Sequence, residues 1–210
     1  MQNDSENNFI YSQGVTEFIT ISAEFCLFVE KALTIPPAEF LDKTRKILSL
    51  LYLKGSLFPK TDYQANDEIE TFVTEEDWYF VHDSIQKQLG PYDSYKDIQI
   101  SEATGNPEIV TSSISEDIAD IYQDIKNFIS LVNMGTEDTL QDAVGECTIN
   151  FEEFWGQKTV RALKAIHIIL LDPAIKELPT DNTTDNPEEK DTSDWFITRR
   201  QTDINNMNLN

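Results

Sequence analysis

Between residues 113 and 135 an apolar side chain falls at nearly every third or fourth place: Ile114, Ile118, Ile121, Tyr122, Ile125, Phe128, Ile129 and Val132. That spacing gathers them on one side of an α-helix, whereas a strand would scatter them over two faces. Ser113 to Glu116 reads as a capping box at the start, and Gly135 closes the run. Asp117, Asp120, Asp124 and Lys126 fall off the stripe, and the three aspartates, recurring at three and four, are expected to form a solvated negative edge. A two-metal or general-base site would use such an edge, but an ordinary charged outer face is the favoured reading.

The same period recurs elsewhere. Val15, Phe18, Ile19, Phe25, Cys26, Val29, Ala32 and Leu33 predict a first helix, ended by Ile35-Pro36-Pro37 because a residue before proline is driven out of the α region. A second helix begins near Pro37 and reaches Lys54, with Gly55 expected as its C-cap. Its leucines, Leu41, Leu50 and Leu53 among them, predict burial on two sides. Thr74 followed by Glu75, Glu76 and Asp77 caps a third, carried by Trp78, Val81, Ile85 and Leu89 and stopped by Gly90-Pro91. A last helical pattern runs from about Thr136 to Leu171. At that length it is expected to kink or divide, at Gly145 or Gly156.

The expected fold class is therefore all-α: a bundle of five to six helices over residues 1–171, with two long loops at 56–73 and 91–112. Loops of that length in a compact domain are often functional. Residues 172–210 change character. They are rich in Asp, Glu, Thr, Asn and Pro, too polar to fold alone, and are expected to be partly disordered or docked through Trp195 and Phe196.

The formal net charge is -22, from 16 basic and 38 acidic residues. Such a field repels phosphate backbones and anionic lipids, so direct nucleic-acid binding is not expected. No apolar run reaches the roughly 20 residues a membrane span needs. Cys26 and Cys147 stand alone in apolar helical segments, and the opening residues show no basic-then-apolar leader, which together predict a cytoplasmic protein.

Histidine is limited to His82 and His167, and no Glu-x-x-His or His-x-x-x-His pair is present, so no metal is expected. Seven glycines form no phosphate-binding loop, and no nucleophile motif appears, so neither a cofactor nor a catalytic residue is assigned. Lys158, Arg161 and Lys164, on one flank just after Trp155, are conspicuous in so acidic a chain. Ion pairing with neighbouring acidic helices is the favoured reading, and an anion or partner contact formed with Trp155 is the alternative.

The segment Ser113-Ile114-Ser115-Glu116-Asp117-Ile118-Ala119-Asp120-Ile121-Tyr122-Gln123-Asp124-Ile125-Lys126 resembles a bacterial family known as domain of unknown function 5063. The opening helix, from Val15-Thr16-Glu17-Phe18 to Leu33, and the leucine-rich second helix are similar to that family too. The resemblance spans about residues 10–171 and implies an all-helical bacterial cytoplasmic protein. It implies no activity, cofactor or catalytic residue.

Three functional readings stay open. The first is a non-enzymatic protein-interaction or regulatory module, whose partner is another protein. The second is an enzyme with a carboxylate site in the long loops, and the third is an acidic mimic of DNA. Partner identity and oligomeric state have no signature in the sequence.

Overall fold

The computed structural model describes residues 12–58, 71–101, 103–135 and 137–178. Six α-helices carry that chain: α1 (Gln13–Val29), α2 (Pro37–Ser56), α3 (Glu75–Leu89), α4 (Ile114–Met134), α5 (Glu137–Asn150) and α6 (Gly156–Ile169). A short antiparallel hairpin, β1 (Ser94–Ile100) and β2 (Pro107–Ser113), stands between α3 and α4. The fold is mainly α-helical, as the three-and-four periodicity predicts.

Helix α4 is the hub. It packs against α1, α3, α5 and α6, and the hairpin leads directly into it. Its stripe from Ile114 to Leu131 is buried, and Ser113 Oγ accepts from the Glu116 amide at its start. At its end Gly135 takes a left-handed conformation, φ +78°, which a side chain would resist. Helix α3 begins with a complete capping box: Thr74 accepts from the Asp77 amide while Asp77 accepts from the Thr74 amide. The core is continuous, with Phe18, Phe25, Phe40, Leu48, Ile85 and Trp155 among its fully buried members.

Three expectations need correction. Residues 91–112 are not a loop without regular structure. Most of them form the hairpin, paired from Ser94 with Ser113 to Ile100 with Pro107. Gly55 is not a C-cap: it lies inside α2, where a Cβ would sit 2.7 Å from the Trp155 ring. Its bare backbone lets the two helices approach. Leu50 and Leu53 do not bury a second side of α2, for they are 40 % and 52 % exposed. Helix α2 sits at the rim of the bundle, flanked by α1 and α6, with nothing described on its outer side.

The long fifth pattern does divide. α5 and α6 are joined by a single π turn, Phe151–Trp155, that runs straight into Gly156. A wide turn of this kind inserts one residue into the helical ladder and shifts the face that α6 presents. The other long loop lies largely outside the described residues, as does the tail beyond Leu178, including Trp195 and Phe196.

Candidate functional site

The π turn has a consequence for charge. It rotates Lys158, Arg161 and Lys164 of α6 toward the acidic flank of α4 and the base of the hairpin. Lys158 pairs with Asp120 and Arg161 with Asp117, while Lys164 Nζ lies 3.5 Å from Asp97 of β1. Two of these carboxylates also reach a third element. Trp78 of α3 donates its indole N–H to Asp120 at 2.8 Å, and the Tyr95 hydroxyl of β1 donates to Asp117. The result is a charged seam that ties α3, α4, α6 and the hairpin together.

The acidic edge of α4 is thus not a solvated face. Asp117 is 1 % exposed, and Asp120 and Asp124 are largely covered. The reason is the hub position of α4, which leaves it no outer side. The favoured ion-pair geometry is present for all three cations. Lys158 and Arg161 are largely covered beside their carboxylates, whereas the Lys164 side chain is 58 % exposed and meets Asp97 at the surface. Trp155 contributes nothing to a surface. It is fully buried, donates from Nε1 to the Cys147 carbonyl at 3.4 Å, and packs on Phe18 and Phe151.

Burial sets the electrostatics of the seam. It pushes the Asp117 carboxyl above its ordinary value, against the pull of Tyr95 and Arg161. For Arg161 burial works to lower the pKa, but the Asp117 charge outweighs it and the guanidinium is held above its usual range. The two directions differ because the carboxylate is far more deeply buried than the guanidinium. Arg161 stays protonated in any case. Asp124 is pushed up to about 7 by burial and by the adjacent Asp120, with Lys158 opposing and Glu146 adding to the rise.

What can this arrangement do? Asp120 borders a shallow cleft of about 330 Å³ with Trp78, Tyr79 and Gln123. Its two oxygens are already engaged by Trp78 and Lys158. Among the described residues no group of three or more His, Cys, Asp and Glu is arranged to hold a metal ion. His82 stacks on Trp78 and shares a hydrogen bond with Asp83, and His167 is exposed on α6. Cys26 and Cys147 are buried free thiols whose pKa values burial drives up, away from thiolate chemistry. No described helix is long and apolar enough to cross a membrane.

The seam's structural product is the hairpin's firm base. A two-stranded hairpin is marginal by itself in water. Here Tyr95 and Asp97 tie it to α4 and α6, while Asp93 accepts from the Ser115 amide and hydroxyl at 2.8 and 2.7 Å. Beyond that base the other face of the hairpin is apolar and open. Ile98, Ile100 and Ile109 are 67 %, 65 % and 75 % exposed, and Ile98 lies directly opposite Ile109. Sequence reasoning missed this patch. The available signal was the alternation of Ile98, Gln99 and Ile100 before a Thr104-Gly105-Asn106 turn.

The fold and this geometry can be set beside known proteins. The crystal structure of protein BF1032 from Bacteroides fragilis is similar over 77 % of this chain and 94 % of that one, at 39 % sequence identity and a TM-score of 0.67. No curated protein matches the chain. A family model, that of the domain of unknown function DUF5063, matches residues 9–172. That match takes in every helix and both strands described above, and the chain belongs to the DUF5063 family.

Proposed function

We propose that this chain is a non-enzymatic protein-interaction module that presents its β-hairpin to another protein. The single observation carrying the reading is the exposed isoleucine cluster, Ile98, Ile100 and Ile109, on a hairpin whose base is locked to the bundle. Isolated exposed apolar residues are ordinary, but three aligned on one rigid face form a contact surface. The acidic body around it favours a partner whose own apolar patch is rimmed by Lys or Arg, since charge of opposite sign speeds encounter and fixes orientation. The charged residues best suited to chemistry are occupied with one another in the seam, which supports a binding role over a catalytic one. The same reading puts the protein in the cytoplasm, and the two buried free thiols support a reducing compartment.

The test is affinity capture from native lysate with the wild type and with Ile98→Asp/Ile109→Asp. Both substitutions lie on an exposed face, so melting temperature stays within about 2 °C of wild type. The reading expects a specific captured protein to be lost with the variant. The same captured set for both proteins, or no specific capture at all, sinks it.

A further inference from the structure

Where the base of the hairpin meets α6, a cleft of about 300 Å³ opens to solvent. Its helical side comes from a simple spacing. Lys164 and Ile168 are four residues apart, as are Ala165 and Ile169, so the two pairs lie side by side on one face of α6. The other side comes from Tyr92, Tyr95 and Lys96. Both tyrosine hydroxyls are engaged away from the cleft: Tyr92 donates to Asp172 at 3.4 Å and Tyr95 to Asp117. Those two residues therefore offer the cleft ring carbons, next to the side chains of Ile168 and Ile169.

The polar part of the lining is cationic. Lys96 and Lys164 border the cleft, and no carboxylate is among the residues that line it. In a chain of net charge -22 that local sign is the reverse of the whole. Neither amine is used up. Lys96 is exposed and donates to the Thr111 hydroxyl, a neutral partner that leaves its charge uncompensated. The Lys164 side chain is 58 % exposed and stands 3.5 Å from Asp97, beyond the range of a good hydrogen bond. Each ammonium carries three donors on a flexible stem, so both can turn to an acceptor in the cleft.

We propose that this cleft binds a small organic carboxylate, with its aliphatic or aromatic body against Tyr92, Tyr95, Ile168 and Ile169 and its anionic head on Lys96 and Lys164. Apolar walls with a few placed polar groups are the usual make-up of a ligand pocket, and the volume is at the small end of that class. The contacts of Tyr95 and Asp97 that fix the hairpin base also hold the walls, so the site is formed before the ligand arrives. Trp155, Lys158 and Arg161 take no part in it. The cleft shares no residue with the isoleucine cluster, so this inference and the hairpin reading fail separately.

The experiment is a titration of the full-length chain followed by the NMR shifts of its backbone amides. The probes are phenylacetate, its neutral analogue phenylacetamide and the cation phenethylamine. Phenylacetate should give saturable shifts centred on Tyr92, Lys96, Lys164 and Ile168, and phenylacetamide should bind about tenfold more weakly, since it lacks the charge-assisted bonds. Lys96→Gln and Lys164→Gln should each weaken phenylacetate by about threefold to fivefold and leave phenylacetamide unchanged. Ile168→Ala, at an exposed position, should weaken both probes alike. Two peptide arms separate the sources of the carboxylate: capped Gly-Gly-Phe with a free C-terminus, and the same peptide amidated. Binding of the free-ended peptide as tight as that of phenylacetate assigns the cleft to a chain terminus, and much weaker binding assigns it to a free acid.

Shifts that do not saturate, or that centre elsewhere, overturn the proposal. So does phenethylamine or the amidated peptide binding as tightly as its carboxylate counterpart, or a pair of lysine variants that bind phenylacetate like the wild type. Should Lys164→Gln loosen the hairpin by freeing Asp97, Lys96→Gln, exposed and with a neutral partner, still decides the outcome.

Discussion

Asp124 places one carboxylate oxygen 3.5 Å from the Asn150 amide, and the other is buried with no hydrogen-bond partner. Burial, then Asp120, raise its pKa to about 7, against Lys158 and with Glu146 adding to the rise. Because the folded value lies above the ordinary 3.8, the stabilisation is complete at pH below 3.8 and is lost as pH rises through about 7. Asp124→Asn, which keeps the shape and cannot ionise, is expected to be more stable than wild type at pH 8 by about 1–3 kcal/mol. The difference shrinks toward pH 5, as urea unfolding at the two pH values would show. Arg161 gives the opposite kind of prediction. Arg161→Leu strands Asp117 in the seam and should cost about 2–4 kcal/mol, because an unpaired buried charge is worse than no pair at all. Adding Asp117→Asn to that variant should recover part of the loss, which a double-mutant cycle measures. The residue types of the seam were legible as two sets with matching spacing. Their burial was not, because the sequence does not say that α4 lacks an outer side.

At the scale of elements the joint between α5 and α6 governs the seam. A Cβ on Gly156 would collide with the Phe151 carbonyl oxygen, a backbone atom with little freedom to yield. Gly156→Ala is therefore expected to destabilise by about 2–3 kcal/mol, an overpacking cost. Gly14→Ala makes the control. That glycine is exposed in the first turn of α1 with only Ser12 Oγ nearby, so alanine should stabilise by about 0.5–1 kcal/mol. Thermal unfolding of both variants checks the pair, and equal effects would mean that the π turn tolerates a side chain. The helices themselves were legible from their periodicity and caps. The hairpin was not: its apolar side chains face solvent while Tyr95 and Asp97 face inward, which inverts the usual strand pattern. Gly55 misled for a related reason, since a glycine near a helix end signals a cap unless another helix needs the space.

For the molecule as a whole, charge competes with packing. A net -22 repels itself at low ionic strength, while the Lys158–Asp120 and Arg161–Asp117 pairs are largely shielded from solvent and little affected by salt. Raising sodium chloride from about 20 mM to about 500 mM should therefore raise the melting temperature by several degrees, of order 3–5 °C. A fall would mean that attractive surface pairs outweigh the net repulsion.

Local physics sufficed for the helices, most of their ends, the acidic balance and the two apolar thiols, because each depends on neighbours within a few positions along the chain. Which face of each helix meets which neighbour depends on contacts between distant residues, and only the packed bundle supplied those. It buried Asp117, turned Leu53 outward on α2, and set three isoleucines of a hairpin in water. Burial is a property of the assembled elements, and no periodicity in one of them can state it.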